Sequence, residues 1–283
     1  MTEMFGGQSG WVKRMKTFII DAFTDRPFQG NPAGVCITDS QLSDDLMLNI
    51  AQELNHSETA FVRRLDGCAT FSIRFFSPKM EIPLCGHATL ASAKAVFAWM
   101  GISDARFQTS RGATLDVRSC DDRIEMVFPV YETEPAQAPP QLLTALGIIS
   151  VLNARYNEET QILLLEIASV RELAELNPDF AALYHSHSGI NGVLVTAASS
   201  DSYDFHSRYF WPWSGTNEDP VTGGVQAFLA KYWSGRLGKT RMRSFQSSKR
   251  TGSMDVELLD GKVLISAKAA IVFEGELSVP PAK

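Results

Sequence analysis

Phe107-Gln108-Thr109-Ser110-Arg111-Gly112-Ala113-Thr114-Leu115-Asp116-Val117 has a near copy downstream: Phe245-Gln246-Ser247-Ser248-Lys249-Arg250-Thr251-Gly252-Ser253-Met254-Asp255-Val256. Each copy follows another matched element. Arg74-Phe75-Phe76-Ser77-Pro78 leads to Cys85-Gly86-His87-Ala88-Thr89, and Arg208-Tyr209-Phe210-Trp211-Pro212 leads to Asp219-Pro220-Val221-Thr222-Gly223. Two long similar units in one chain create one interface, and an interface between domains is where a small-molecule site is expected.

The chain's 283 residues also suit two domains. The reading places a frayed leader at 1–14, a first unit at 15–130 and a second at 131–283, with the last strand able to return to the first unit. The boundary is the segment 131–140, where three prolines alternate with polar residues.

Within the first unit, 17–23 and 33–37 read as strands around a fixed loop. Ser40 can cap a helix over 41–54, and 59–62 and 69–76 read as further strands. Residues 86–100 are rich in alanine, with Lys94 the only strongly charged side chain. A helix without a polar face belongs inside, so strands should enclose it. The order recurs with a strand over 204–210, a loop, and a mostly apolar helix over 223–233. Ser169 can cap a helix over 170–176. The fold class is therefore α+β, with each unit a sheet curled about a buried helix.

Hydrophobic content of 45% and charged content of 20% are those of a globular chain. A net charge of -6 argues against a nucleic-acid partner. The apolar runs are too interrupted to span a bilayer, and the opening residues lack the apolar core of a signal peptide. A cytoplasmic protein is expected. The four cysteines all precede residue 121, and no pair has the spacing of a zinc knuckle or redox dithiol. His185 and His187 read as solvated loop residues, so no metal is expected. Phosphate-loop, dinucleotide and nucleophile-elbow motifs are absent from the sequence.

Three segments carry candidate chemistry. Glu58, between a helix and a strand, would have its pKa raised by desolvation toward the range useful in proton transfer. Cys85, Gly86 and His87 open the first buried helix, whose free N–H groups favour anions. His87 can move a proton, and a thiol placed there would have a lowered pKa. Asp219, Thr222, Gly223 and Gly224 read as the start of the second buried helix, with Asp219 or Thr222 as its cap. Each segment also has a structural reading: a solvated carboxylate, a packed thiol and histidine, a capping aspartate.

The chain resembles the PhzF-like family of phenazine biosynthesis. The resemblance rests on 21–24 with 28–33, Asn55 with 57–61, 76–78 with 83–90, 207–210, 218–223 and 237–239. It implies the diaminopimelate-epimerase fold, two similar α+β domains with the cleft between them. It further implies a cofactor-free, metal-free isomerase that moves a proton on a small carboxylate-bearing substrate. The family's essential glutamate falls on Glu58, its cleft histidine on His87 and its cleft aspartate on Asp219. Cys85, Gly86, Thr222, Gly223 and Gly224 fall among the substrate-binding positions.

The chain departs from the family where Gly224-Val225-Gln226 replace a common serine and a following histidine. That keeps open an inactive protein that only binds its ligand. Related epimerases use one cysteine per domain, and the second unit here has none. Glu58 with His87 and Asp219 is the expected acid–base set. A homodimer is the default for such an enzyme.

Overall fold

Residues 104–109 alternate exposed and buried without exception, as a strand with one face on a core must. The computed structural model describes residues 13–65 and 69–279. Its first run is β1 (Lys13–Ala22), β2 (Asn31–Thr38), α1 (Asp44–Leu54), β3 (Thr59–Arg64), β4 (Thr70–Phe76), β5 (Glu81–Ile82), α2 (Gly86–Met100), β6 (Asp104–Thr109), β7 (Thr114–Cys120) and β8 (Arg123–Pro129). The second run begins with β9 (Glu134–Pro135), α3 (Pro140–Leu146), β10 (Asn153–Asn157), β11 (Ile162–Glu166), α4 (Val170–Glu175) and α5 (Phe180–Ser186). It continues with β12 (Gly192–Ala198), β13 (Phe205–Trp211), β14 (Thr216–Asp219), α6 (Gln226–Leu237), β15 (Arg241–Gln246), β16 (Gly252–Leu259), β17 (Lys262–Ala267) and β18 (Ala269–Val279).

The same order of pairings occurs in both runs. β2 pairs parallel with β3, β3 antiparallel with β4, β4 antiparallel with β5 and parallel with β6, and β6–β7–β8 form an antiparallel meander. β11, β12, β13, β14, β15, β16 and β17 repeat that sequence of parallel and antiparallel contacts. Two ladders join the runs: β8 with β17, and β1 with β18, both antiparallel.

α2 has the bounds expected of it, and residues 87–93 are all buried. It packs against β1, β2, β3, β7, β8 and β18. Gly101 ends it in a left-handed conformation, φ 67°, where glycine carries no Cβ penalty. α6 packs on β15, β16 and β17, with Trp233 stacked 5.5 Å from Phe205.

Several expectations shift. Lys13 and Arg14 open β1 rather than belonging to a leader; residues 1–12, like Cys68, lie outside the described residues. Ser43, not Ser40, caps α1, its side chain accepting from the Leu46 N–H. Residues 180–186 form α5, capped by Asp179, so His185 sits on a helix and not in a loop. Ser169 caps α4 as expected, accepting from Arg171 and Glu172 N–H.

The Phe-Gln match that opens the two copies is one residue out of structural register. Phe71 faces Phe107 across β4 and β6, whereas Phe205 faces Ser244, and Phe245 lies beside His206. A one-residue slip moves every side chain to the other face of a strand. Phe107 is therefore core, while Gln246 points inward.

The matched arginines do agree. Arg74 grips Glu81 through two hydrogen bonds of 2.8 and 2.7 Å, and Arg208 grips Glu218 through two of 2.7 and 2.9 Å. Arg208 is the more buried, and its Nη1 also donates to the Leu176 carbonyl at 2.6 Å. Removing one member of a buried pair strands the other charge in low dielectric. Arg208→Met should therefore cost about 3 kcal/mol. Arg74→Met, at a more exposed pair, should cost about 1 kcal/mol. Urea unfolding of both variants checks the order; equal losses would refute it.

Candidate functional site

α1 ends at Asn55, whose left-handed backbone (φ 50°) lets its N–H close onto the Ala51 carbonyl. The chain turns there, and Glu58 arrives just ahead of β3, its carbonyl accepting from Gly34 N–H at 3.1 Å. The strand start thus fixes where the carboxylate points. His87 is the second residue of α2, whose N-cap is Cys85; the Cys85 carbonyl accepts from Thr89 N–H at 3.0 Å and from the Thr89 hydroxyl at 2.7 Å.

These segments meet. His87 Nε2 lies 3.2 Å from Glu58 Oε2 and 3.5 Å from Ser57 Oγ, and its Nδ1 lies 3.4 Å from Cys85 Sγ. Glu58 and His87 are 7% and 8% exposed. Burial pushes the Glu58 carboxyl up, but the hydrogen bond and charge of His87 outweigh it, so the net shift is downward. Burial likewise pushes His87 down, while Cys85 and Glu58 together carry it well above the usual imidazole range. Each member of the Glu58–His87 pair favours the charged form of the other. The expected rise at Glu58 is thereby corrected, because a partner 3.2 Å away defeats desolvation. The expected fall at Cys85 is corrected too: burial raises it despite the helix end.

Asp219 comes from the other run and is not a helix cap. It closes β14, and α6 starts only at Gln226 after a turn in which Gln226, Ala227 and Phe228 N–H reach back to Gly223, Gly224 and Val225. Its carboxylate accepts from Asn31 Nδ2 at 2.9 Å and from the Thr222 hydroxyl. Asn31 also donates to the Val221 carbonyl, and Gln246 donates to the Asp219 carbonyl at 2.7 Å and accepts from Thr222 N–H. Burial lifts the Asp219 carboxyl to about 6, with His87 pulling it down and Glu58 pushing it up.

Gly86 and Gly224 face each other. A methyl on Gly86 would lie 3.8 Å from the Gly224 nitrogen and 3.5 Å from the Phe128 ring. The start of α2 and the turn into α6 therefore lie against each other. Gly223 takes a tight approach, since a Cβ there would meet the Phe23 ring at 2.8 Å. All eight residues singled out in the sequence belong to this region. Gln226 does not face it: it is 1% exposed and donates to Ser244 Oγ.

Asn31, Ser57 and Gln246 also touch the candidate residues, and sequence reasoning did not single them out. Gln246 carried a signal, the second Phe-Gln, but the slipped register hid it. Asn31 is brought in by a lattice of bonds across the two runs. Arg250 donates to Asp21 at 2.7 Å and to the carbonyls of Gln29 and Gly30, and Gly30 N–H donates to the Thr251 carbonyl. Asp21 also accepts from Phe28 N–H at 2.6 Å, shaping the loop that ends at Asn31.

Glu58, Cys85 and His87 each offer a ligand atom within 4.8 Å of the other two. Elsewhere a groove of about 600 Å³ lies on the outer sheet face, lined by the Arg106–Asp116 and Arg118–Asp104 ion pairs, with none of the candidate residues.

Comparison with known proteins places the chain in a group. The model of a phenazine biosynthesis-like family (PhzC-PhzF) matches residues 20–275. A Pseudomonas aeruginosa protein named as an uncharacterized isomerase is 43% identical over 92% of this chain and 97% of its own. A PhzF-family crystal structure from Enterococcus faecalis superposes with a TM-score of 0.88 at 35% identity, covering 94% of this chain and all of the other. A hydroxyproline epimerase from Agrobacterium vitis matches at a TM-score of 0.55 and 13% identity, over 95% of this chain and 93% of its own. That distant likeness shows the fold: the diaminopimelate-epimerase-like α+β architecture.

The raised Asp219 carboxyl sets a pH dependence. Its folded value of about 6 exceeds the ordinary 3.8, so the folded chain holds the extra proton between the two. Stability from the protonated form is complete below the unfolded value and lost as pH rises through about 6. Asp219→Asn has no such loss. Its stability relative to the native chain should improve by ~3 kcal/mol between pH 3.5 and pH 7, measured by denaturant unfolding at each pH. A difference independent of pH would contradict it.

Proposed function

The chain belongs to the phenazine biosynthesis-like (PhzC-PhzF) family, and from that premise we propose that it is a cofactor-independent isomerase. It moves a proton on a small carboxylate-bearing metabolite held between the starts of α2 and α6. The observation that carries the reading is the pair of buried carboxylates whose environments set them apart. His87 holds the Glu58 carboxyl below its ordinary range, while burial lifts that of Asp219 to about 6. Such a division assigns base and acid.

In this reading the substrate carboxylate lies against the N–H groups at Gly86 and in the turn at Gly223 and Gly224. Their partial positive charge also stabilises the enolate-like charge that develops when a neighbouring carbon loses its proton. Glu58 takes that proton, and the electron pair of the broken C–H bond enters the conjugated system. Protonated Asp219, or the His87 imidazolium, returns a proton at the second position. His87 also orients Glu58, and Asn31 and Thr222 orient Asp219. With both carboxylates enclosed, parting and closing of the two halves admits substrate and excludes water, which strengthens each of these interactions. The names of the Pseudomonas and Agrobacterium proteins, an isomerase and an epimerase, support this class of reaction.

One observation favours a second reading, an inactive protein that keeps the ligand site. Gly224 offers no side chain, and Gln226 turns to Ser244. Solvent-deuterium exchange into a panel of small carboxylates, read by mass spectrometry, separates the two. The isomerase exchanges one carbon-bound hydrogen of its substrate; a binding protein retains the ligand unlabelled. Glu58→Gln should slow exchange by a factor of ~10² or more. Full exchange by this variant would remove Glu58 from the role of base.

A further inference from the structure

We propose that α6, β10 and the segment joining the two runs form a second ligand site, one that takes a small aromatic monocarboxylate. None of the residues assigned to the cleft lines it, and its occupancy does not depend on the isomerase reading.

α6 sends Phe228, Lys231, Tyr232, Gly235 and Arg236 to one cavity of about 300 Å³. Steps of three and four residues put these positions on one helix face. Asn153 and Arg155, two apart on β10, come from one face of that strand. Tyr131, Glu132 and Thr133 close the third side, and the Tyr131 N–H fastens this segment to α6 by donating to the Ala227 carbonyl at 2.8 Å. The volume is at the low end for small-molecule sites, which suits a ligand of one or two rings.

The polar groups are held in place. Tyr232 donates its hydroxyl hydrogen to buried Glu166, accepts from Asn153 Nδ2 at 3.1 Å and sets its ring edge-on to Trp233 at 5.4 Å. Arg236 Nη2 donates to the other Glu166 oxygen at 2.9 Å. Arg155 Nε donates to the Thr133 hydroxyl at 2.8 Å and its Nη2 to the Thr133 carbonyl, while Lys231 pairs with Glu132. Each guanidinium is thus fixed by one side. Arg155 Nη1 and the Nε and Nη1 of Arg236 have no acceptor among the described residues.

Charge and shape select the ligand. Lys231, Arg155 and Arg236 stand against two carboxylates, Glu132 and Glu166, which leaves one positive charge in a chain whose net charge is -6. A single carboxylate neutralises it, and planar guanidinium N–H groups match carboxylate oxygens. Tyr131, Tyr232 and Phe228 supply aromatic walls, which suit an aromatic body. Gly235 supplies the room. A glycine inside a helix weakens it, yet α6 keeps one at this wall, and a methyl built there would meet nothing within 4 Å.

Isothermal titration of the full chain with 2-naphthoate tests the site. Gly235→Leu fills the cavity without removing a hydrogen bond. It should remove one bound equivalent of probe while holding or raising Tm, because leucine is the better helix former. Acetate, which lacks the rings, and 2-naphthamide, which lacks the charge, should bind there roughly tenfold more weakly or less. Arg155→Met should weaken 2-naphthoate by a similar factor; if that variant fails to fold, Gly235→Leu and the amide decide. Absence of saturable binding, equal affinity for the amide, or binding unchanged in Gly235→Leu overturns the proposal. A soaked crystal gives the location: density for the rings between Tyr131 and Tyr232 supports the site, and density in the cleft alone refutes it. Deuterium exchange at the cleft involves none of these residues, so failure here leaves the isomerase reading standing.

Discussion

A helix with no polar face has to be enclosed, and the enclosure of α2 governs most of what surrounds it. Strands from both ends of the described chain wrap it, β1 to β3 and β18 among them. Its first turn is thereby drawn out of solvent together with His87. In that setting an ion pair with Glu58 gains from low dielectric and orders both partners. Asp219, contributed by the second run, feels the charges of the same pair. The electrostatics of the candidate site follow from burying an alanine-rich helix whose N-terminus has nowhere else to go.

Much of this was legible. The bounds of α2 follow from composition alone, because alanine-rich apolar stretches ended by glycine leave few choices. The α4 cap at Ser169 and the segments holding Glu58, His87 and Asp219 were also readable. The failures have particular causes. Ser40 and Ser43 are both credible caps, and what separates them is a local hydrogen bond to Leu46. The sequence pattern puts the start of α6 too early because Asp219 and Thr222 look like caps, while their oxygens are committed to each other and to Asn31. The direction of the Glu58 shift depends on a contact between residues 29 positions apart, which no local pattern encodes.

Identity of letters also misled in one place. The Phe-Gln pair reads as equivalent in both copies, yet strand geometry weighs side-chain facing rather than spelling. Phe107 fills the core and Phe245 stacks near Tyr203 and His206, at 4.8 and 4.9 Å. The slip frees Gln246 to bind the Asp219 carbonyl and Thr222. A mismatch in the scaffold thus becomes support for a residue of the site, and the two runs share an architecture without sharing an interior.

The pairing of β1 with β18 bears on how the protein is made. β1 leaves a ribosome well before its antiparallel partner β18, with every other described element between them. Until β18 arrives, one edge of β1 carries unpaired N–H and C=O groups, and the α2 enclosure lacks a wall. An exposed strand edge recruits other strands. The interval of synthesis between the two strands is therefore a period of exposure to misassembly. Translation products that stop short of β18 would keep that edge open, which ties arrival of β18 to solubility as well as to structure.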